Sequence, residues 1–182
     1  MTGPARALRP AAAALAGLLA LAGCGAFEPD RAPFSCPRTL LVADADTATL
    51  YREGPGRDLT DVRFVGRISG VTWQCAFHED GYIDQEITVA FAAARGPAAD
   101  AREVGFDYFV AVVEPSGRIA RKQVFHLNVV FEGGNSVVFN RIVGTTIFAA
   151  DPVDASGNRI YVGFQLTPEQ LQENRRVRGI PG

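Results

Sequence analysis

The chain has 182 residues, a formal net charge of -2, 21% charged residues and 47% hydrophobic residues. This composition is typical of one ordinary globular domain, and it excludes a large multidomain enzyme and a chain that is disordered throughout. The sequence pI is about 5.7, and the basic residues are scattered, mostly singly, with adjacent pairs only at 121–122 and 175–176. Because a nucleic-acid-binding surface needs a basic stripe, we expect no nucleic-acid partner.

The N-terminus has the pattern of an export signal. Arg6 and Arg9 precede residues 11–22, which are drawn only from Ala, Leu and Gly. A positive segment followed by a short apolar run is typical of a secretory signal peptide. The run is shorter than the roughly 20 apolar residues that a helix needs to cross a bilayer, so we do not expect a transmembrane helix here.

The apolar run ends in Leu21-Ala22-Gly23-Cys24, and at these residues the chain resembles a bacterial lipoprotein. The resemblance implies that the signal peptide 1–23 is removed, that a diacylglyceryl group is joined to the Cys24 thiol, and that the new amino group receives a fatty acid such as palmitate. Two or three acyl chains hold a protein on a membrane stably, whereas one chain binds only marginally. Gly25, rather than Asp, after the cysteine implies the outer membrane, facing the periplasm. The alternative is an ordinary secretory signal with a chance cysteine.

Cleavage before Cys24 would leave 182 − 23 = 159 residues with a charge of -2 − 2 = -4, because the two lost charges are both arginines. Residues 24–35 have no helical or alternating pattern and carry two prolines in 25–33, so we interpret them as a lipidated tether. We expect residues 36–182 to form a single β-rich periplasmic domain.

Cys36 and Cys75 are the two thiols that remain if Cys24 is lipidated. An even pair in an oxidising compartment predicts a disulfide. The alternative is a zinc site in which Cys36, Cys75, His78 and His126 form a tetrahedron.

Strands are predicted by hydrophobic residues that alternate with polar ones, because a period of two puts every second side chain on one face. Residues 106–113 are apolar on both faces, as expected for a central strand covered on both sides. The clearest alternating sets are Val71, Trp73, Cys75 and Phe77; Ile87, Val89, Phe91 and Ala93; Phe125, Leu127, Val129 and Phe131; and Ile160, Val162, Phe164 and Leu166.

Turn residues at roughly 10-residue spacing separate these runs, which favours an antiparallel β-sandwich, with a small β-barrel as the alternative. Cys36, Trp73 and Cys75 occur in the order found in immunoglobulin domains, but the tryptophan lies too close to the second cysteine for that family. We expect the strands near 105–114, 118–131 and 136–148 to form a meander, and 151–158 to be a polar loop. Thr167-Pro168-Glu169-Gln170 predicts a capping box and a short C-terminal helix.

Two polar segments are the candidate binding loops, since the ends of a sandwich commonly carry its recognition surface. They contribute Arg57, Asp58 and Asp61 from the first loop, and Asp151 and Asp154 from the second. The spacing of the oxygen ligands in the second loop does not match an EF-hand, so we expect no metal there. No cofactor motif is present, since a phosphate-binding glycine loop would need a Lys and a following helix.

No catalytic motif is present either, and we predict a non-enzymatic, lipid-anchored accessory protein that binds or supports another envelope protein. The alternative is a small envelope hydrolase that uses His78 or His126 with a carboxylate. General acid or base catalysis would require such a histidine to lie within hydrogen-bond reach of an acid. His78-Glu79-Asp80-Gly81 is also the pattern of a simple hairpin turn.

Overall fold

The computed structural model describes residues 35–148 and 152–179. The signal peptide, Cys24, the tether up to Phe34, and Asp151 lie outside the described residues, so the predictions made for them stay predictions.

Eight strands and two short helices make up the described part of the chain. The strands are β1 (Arg38–Leu41), β2 (Thr47–Tyr51), β3 (Val62–His78), β4 (Tyr82–Arg95), β5 (Glu103–Val113), β6 (Ile119–Val130), β7 (Ser136–Phe148) and β8 (Arg159–Phe164). The helices are α1 (Pro152–Ser156) and α2 (Pro168–Val177).

The strands form two four-stranded sheets with the orders β1-β8-β5-β6 and β2-β3-β4-β7. Every pairing is antiparallel except that of β1 with β8, which is parallel. The predicted β-sandwich is confirmed, and the barrel alternative is wrong because the two sheets remain separate.

The core lies between the sheets and is built from the alternating residues of both inner faces. Phe91 on β4 is at its centre, with ring centroids 5.1 Å from Tyr108, 5.5 Å from Phe139 and 6.1 Å from Phe164. β5 pairs with β6 on one side and β8 on the other. β5 is thus the interior strand that was expected, but it is covered on both faces only over 110–112, because Asp107 on its outward face is exposed.

The predicted meander is wrong. β5 and β6 pair as expected, but β7 pairs with β4 in the opposite sheet. The reason lies in Phe131, which directly follows β6, is buried, and stacks 6.0 Å from Phe64 on β3. This ring draws the chain into the core, so the segment after β6 crosses between the sheets.

The predicted polar loop 151–158 is also partly wrong, because residues 152–156 form α1. Ala155 is fully buried and belongs to the core cluster, and Asn158 donates from Nδ2 to the Ala155 carbonyl at 2.9 Å. A small apolar residue at this position lets the turn pack against the core rather than project into solvent.

The predicted capping box and C-terminal helix are confirmed. Thr167 Oγ1 accepts from the Gln170 amide at 3.2 Å, and the Thr167 amide donates to Gln170 Oε1 at 2.9 Å. Both bonds satisfy amide groups that α2 would otherwise leave unpaired at its start.

Cys36 and Cys75 form the predicted disulfide, with an Sγ–Sγ distance of 2.07 Å. Cys36 lies just before β1, and Cys75 is on β3 in the other sheet. The bond therefore ties the start of the domain across the sandwich. Since each sulfur is bonded to the other, neither can be a thiolate ligand, and the zinc alternative is wrong.

Candidate functional site

A cleft of about 500 Å³ lies where the segment after β2 approaches α2. The residues lining it come from the end of β2, the loop that follows, the start of β3 and the first turns of α2 with its N-cap, so it is built by distant parts of the sequence. Its polar lining residues are Thr49, Tyr51, Arg52, Glu53, Arg57, Arg63, Thr167, Glu169, Gln170, Glu173 and Asn174.

The loop that forms one wall is ordered by its own side chains. Asp58 caps a short 3-10 turn, accepting from the Thr60 amide at 2.7 Å and from the Thr60 hydroxyl at 2.6 Å. The hydrogen bond from the Thr60 hydroxyl lowers the pKa of Asp58 from its usual value, and the hydrogen bond from the Thr60 amide adds a smaller lowering. The loop is thus held in one conformation before any partner arrives.

Asp61 anchors this loop to the domain. Only 3% of the residue is exposed, and its carboxylate lies 2.5 Å from the Arg52 guanidinium. A Cβ at Gly56 would lie 2.1 Å from Asp61 Oδ2. The loop can therefore close over this carboxylate only because residue 56 has no side chain.

Arg57 projects from the loop at the rim of the cleft. Its Nη1 donates to the Gly54 carbonyl at 2.8 Å and the Gly56 carbonyl at 2.7 Å, and its guanidinium lies 5.2 Å from the centre of the Tyr51 ring. Burial, followed by the nearby Glu173 carboxylate, raises the pKa of Tyr51. Within the described residues Arg57 forms no direct ion pair, although its charge interacts with the Glu173 carboxylate on the opposite wall.

The opposite wall is α2, and polar contacts hold it in place. Asn174 Nδ2 donates to the carbonyls of Asp44 and Thr47, both at 2.8 Å, and Arg175 Nε donates to Asp44 Oδ2 at 2.8 Å. Glu173, one turn below the capping box, accepts from Arg176, which lowers the pKa of Glu173. These bonds fix the helix beside β2 although none of its residues is buried.

The structure separates the four predicted binding residues that it describes, and the fifth, Asp151, lies outside the described residues. Arg57 lines the cleft, whereas Asp58 and Asp61 hold the loop without lining it. Asp154 lies in α1, which follows β7 in the chain. The end of β7 pairs with the start of β4, and the start of β4 pairs with the end of β3. Because the Arg57 loop precedes the start of β3, the two predicted loops are at opposite ends of the sandwich.

Sequence reasoning missed Tyr51, Arg63, Glu173 and Asn174. The capping box located the start of α2, but no spacing signal joins the region near residue 51 to a helix more than a hundred residues later. Only the packing of α2 against the segment that joins β1 to β2 creates the cleft.

The two histidines are apart from the cleft and from each other. His78 ends β3 and its Nε2 lies 3.3 Å from Asp84 Oδ2, while His126 on β6 has Nδ1 2.7 Å from Asp107 Oδ1. A Cβ at Gly105 would lie 2.8 Å from His126 Cε1, so the imidazole can pack on the backbone here only because residue 105 has no side chain. Each histidine therefore has a carboxylate within reach on the neighbouring strand of its own sheet. The two pairs lie on different sheets, and each is on a solvent-facing strand surface.

Among residues 35–148 and 152–179, no helix has both the length and the apolar character needed to cross a membrane. Comparison with known proteins found no family model, curated protein or solved structure that matches the chain.

Proposed function

We propose that this protein is a lipid-anchored, non-enzymatic domain of the periplasm that binds another envelope component through the cleft between the Arg57 loop and α2. The lipoprotein-like Leu21-Ala22-Gly23-Cys24 sequence supports the anchor. The single observation that supports binding is the preformed cleft, whose walls are held by bonds that do not need a partner.

A preordered site favours binding because fewer side chains and loops must be immobilised when the partner arrives. The Asp58–Asp61 capping box, the Asp61–Arg52 pair and the Asn174 bonds each remove such a cost. The guanidinium of Arg57 at the rim, which forms no direct ion pair with a described residue, favours a partner that presents an acidic group. Tyr51 beside it offers an aromatic surface with a polar tip, a residue type enriched at protein interfaces.

The anchor is tested by mass spectrometry of the N-terminal peptide and by cell fractionation. We expect the peptide to start at Cys24 and to carry acyl chains, and the protein to sediment with membranes. The variant Cys24→Ala removes the thiol and should appear without lipid. An unmodified N-terminus on the wild-type chain would refute the anchor.

The binding site is tested by placing a photoreactive amino acid at position 57 in intact cells. A discrete crosslinked product is expected there, and it should disappear when α2 is displaced by Asn174→Ala. Ile119, exposed on β6 away from the cleft, is the matched control position. Equal crosslinking at positions 57 and 119, or none at position 57, would refute the cleft as the binding site.

A hydrolase is the second candidate, and the Asp107–His126 pair is the observation that favours it. An acid on Nδ1 leaves Nε2 to accept a proton from a nucleophile, as in hydrolase triads. Against it, both side chains are more than half exposed and neither lines the cleft. Turnover of ester, amide or glycoside substrates that is lost in His126→Asn would establish this candidate, and no turnover by the wild type would exclude it for those substrates.

A further inference from the structure

The outward surface of β3, β4 and β7 exposes large apolar side chains of the kind that proteins usually bury. An antiparallel sheet that faces water normally carries polar side chains on that face. Here β7 exposes Val138 to 75%, Ile142 to 65% and Phe148 to 79%. We call this surface, formed by the outward residues of the three strands, the open face.

Strand register places small residues beside two of these three and Tyr82 beside Phe148. Ala92 on β4 pairs with Val138, and Thr88 pairs with Ile142. Ala90 and Ala94 lie on the same face of β4, because side chains alternate along a strand. The centre of the open face carries no charge, and its uncharged polar residues are Thr72, Thr88 and Asn140, which lie beside Gly70, Ala90 and Ile142. Exposed apolar side chains such as Ile142 and Val138 on an uncharged surface are typical of an interaction surface.

Charges lie only toward the two ends of this surface, and they have opposite sign. Arg67 on β3 pairs with Ala92, toward one end, and Asp84 and Glu86 lie on β4 toward the other. Arg67 forms no ion pair with another described residue, and Glu86 accepts from the uncharged Gln74 amide at 2.9 Å. The six residues from Ala92 to Glu86 along β4 separate the two charged rows by about 20 Å.

We propose that the open face binds a second copy of this chain, face to face. The two-fold axis runs parallel to the sheet and perpendicular to the strands, and it passes over β4 between Thr88 and Ala90. This symmetry reverses the strand direction and places Arg67 of each copy over the row of Glu86 in the other. Val138 then lies over Gly144 of the other copy, where the missing side chain leaves room. Each contact occurs twice, as an isologous interface requires.

The receiving surface for Arg67 has the right shape and charge. A shallow trough of about 440 Å³ runs over Asp84 and Glu86, with Ala76 on one side and Gly144 on the other. A long guanidinium side chain can lie along such small neighbours and reach a carboxylate. Arg–carboxylate pairing also gives the dimer a defined register.

The available area is sufficient for a dimer. Three strands about 4.8 Å apart and about 40 Å long provide roughly 600 Å² on each copy, hence about 1,200 Å² in total. This value is at the lower limit of specific interfaces. A lipid surface is the poorer partner, because the carboxylate of Glu86, whose described partner is the uncharged Gln74 amide, would have to leave water without receiving a cation.

The first experiment isolates the protein from cells in its processed form and measures its molar mass by light scattering, in mild detergent and over a range of protein concentrations. A dimer is expected, and Ile142→Lys should raise its dissociation constant by about tenfold or more, as for a buried interface residue. Ile119→Lys is the matched control, since Ile119 is an exposed apolar residue of an edge strand in the other sheet. A monomer at every concentration, or a dimer that both variants affect equally, would overturn the proposal.

Charge reversal tests the symmetry. Arg67→Glu and Glu86→Arg should each weaken the dimer, and the double variant should restore it, because the pair is re-formed with inverted signs. Failure of the double variant to recover would overturn the proposed register.

A cysteine introduced by Ala90→Cys lies next to the axis and should be joined to its copy by a short bismaleimide linker, whereas Ala120→Cys on β6 should not. Ala120→Cys linking as efficiently as Ala90→Cys would overturn the interface. If the wild type is monomeric but binds neutral phosphatidylcholine vesicles through Ile142, the open face is a lipid surface and the proposal is wrong.

Discussion

Removal of the disulfide by Cys36→Ala with Cys75→Ala is expected to cost about 4 kcal/mol in the free energy of unfolding. The two cysteines are 39 residues apart in sequence, and closing a loop of that length in the unfolded chain accounts for this value in the chain-entropy model. Such a loss corresponds to a change of about a thousandfold in the unfolding equilibrium. It is a large share of the roughly 5–15 kcal/mol that stabilises an ordinary domain.

The native contacts near Cys36 do not depend on the bond. Gln85 Nε2 donates to the Pro37 carbonyl at 2.9 Å and to Thr39 Oγ1 at 2.8 Å, and Pro37 is fully buried. These contacts should keep the segment in place in the double variant. We therefore expect the bond to act mainly on the unfolded chain, which becomes less extended when it is crosslinked.

Guanidinium denaturation of the oxidised wild type and the double variant measures both effects. The variant should have a lower midpoint and a steeper dependence on denaturant, because its unfolded chain exposes more surface. The reduced wild type should match the variant. A loss below about 1 kcal/mol with an unchanged slope would refute the unfolded-chain argument, since loop closure would then contribute little.

Three further outcomes are expected. Phe91→Ala should destabilise the domain by about 3–5 kcal/mol because it empties the centre of the core, whereas Ile119→Ala, at an exposed position outside the open face, should change the denaturation midpoint little; equal losses would contradict the described core. Gln85→Ala should cost about 2–4 kcal/mol in the same assay, since it removes two buried hydrogen bonds and leaves a cavity. Thr60→Val should raise the pKa of Asp58 toward its usual value in an NMR titration, because the hydroxyl bond is the main cause of its lowering. Since a lowered folded-state pKa stabilises the fold above the unfolded-state pKa, any contribution of Asp58 is lost as the pH falls through its folded-state pKa.

Local patterns were sufficient for much of the fold. The alternation of Ile87, Val89 and Phe91 defines the buried face of β4 because a strand turns every second side chain the same way, and all three are buried. Thr167 and Gln170 located the start of α2 because a capping box depends only on neighbouring residues.

The partner of β7 was not predictable in this way. Its apolar face would suit either sheet, and the short turn after β6 favoured a hairpin. Burial of Phe131 against Phe64 decides the outcome, and this contact joins residues 67 positions apart. The open face follows from the same decision, because β7 brings Val138 alongside Ala92 of β4 and Ile142 alongside Thr88.

The amino-acid sequence by itself indicated strands within β3 to β8, the start of the C-terminal helix and which cysteines pair, since each depends on nearby residues or on a count. Only the tertiary structure decided which strands share a sheet, that Arg57 and Glu173 line one cleft, and that Asp154 lies at the far end of the domain. The physical reason is that long-range packing chooses among arrangements whose local patterns are equally satisfied.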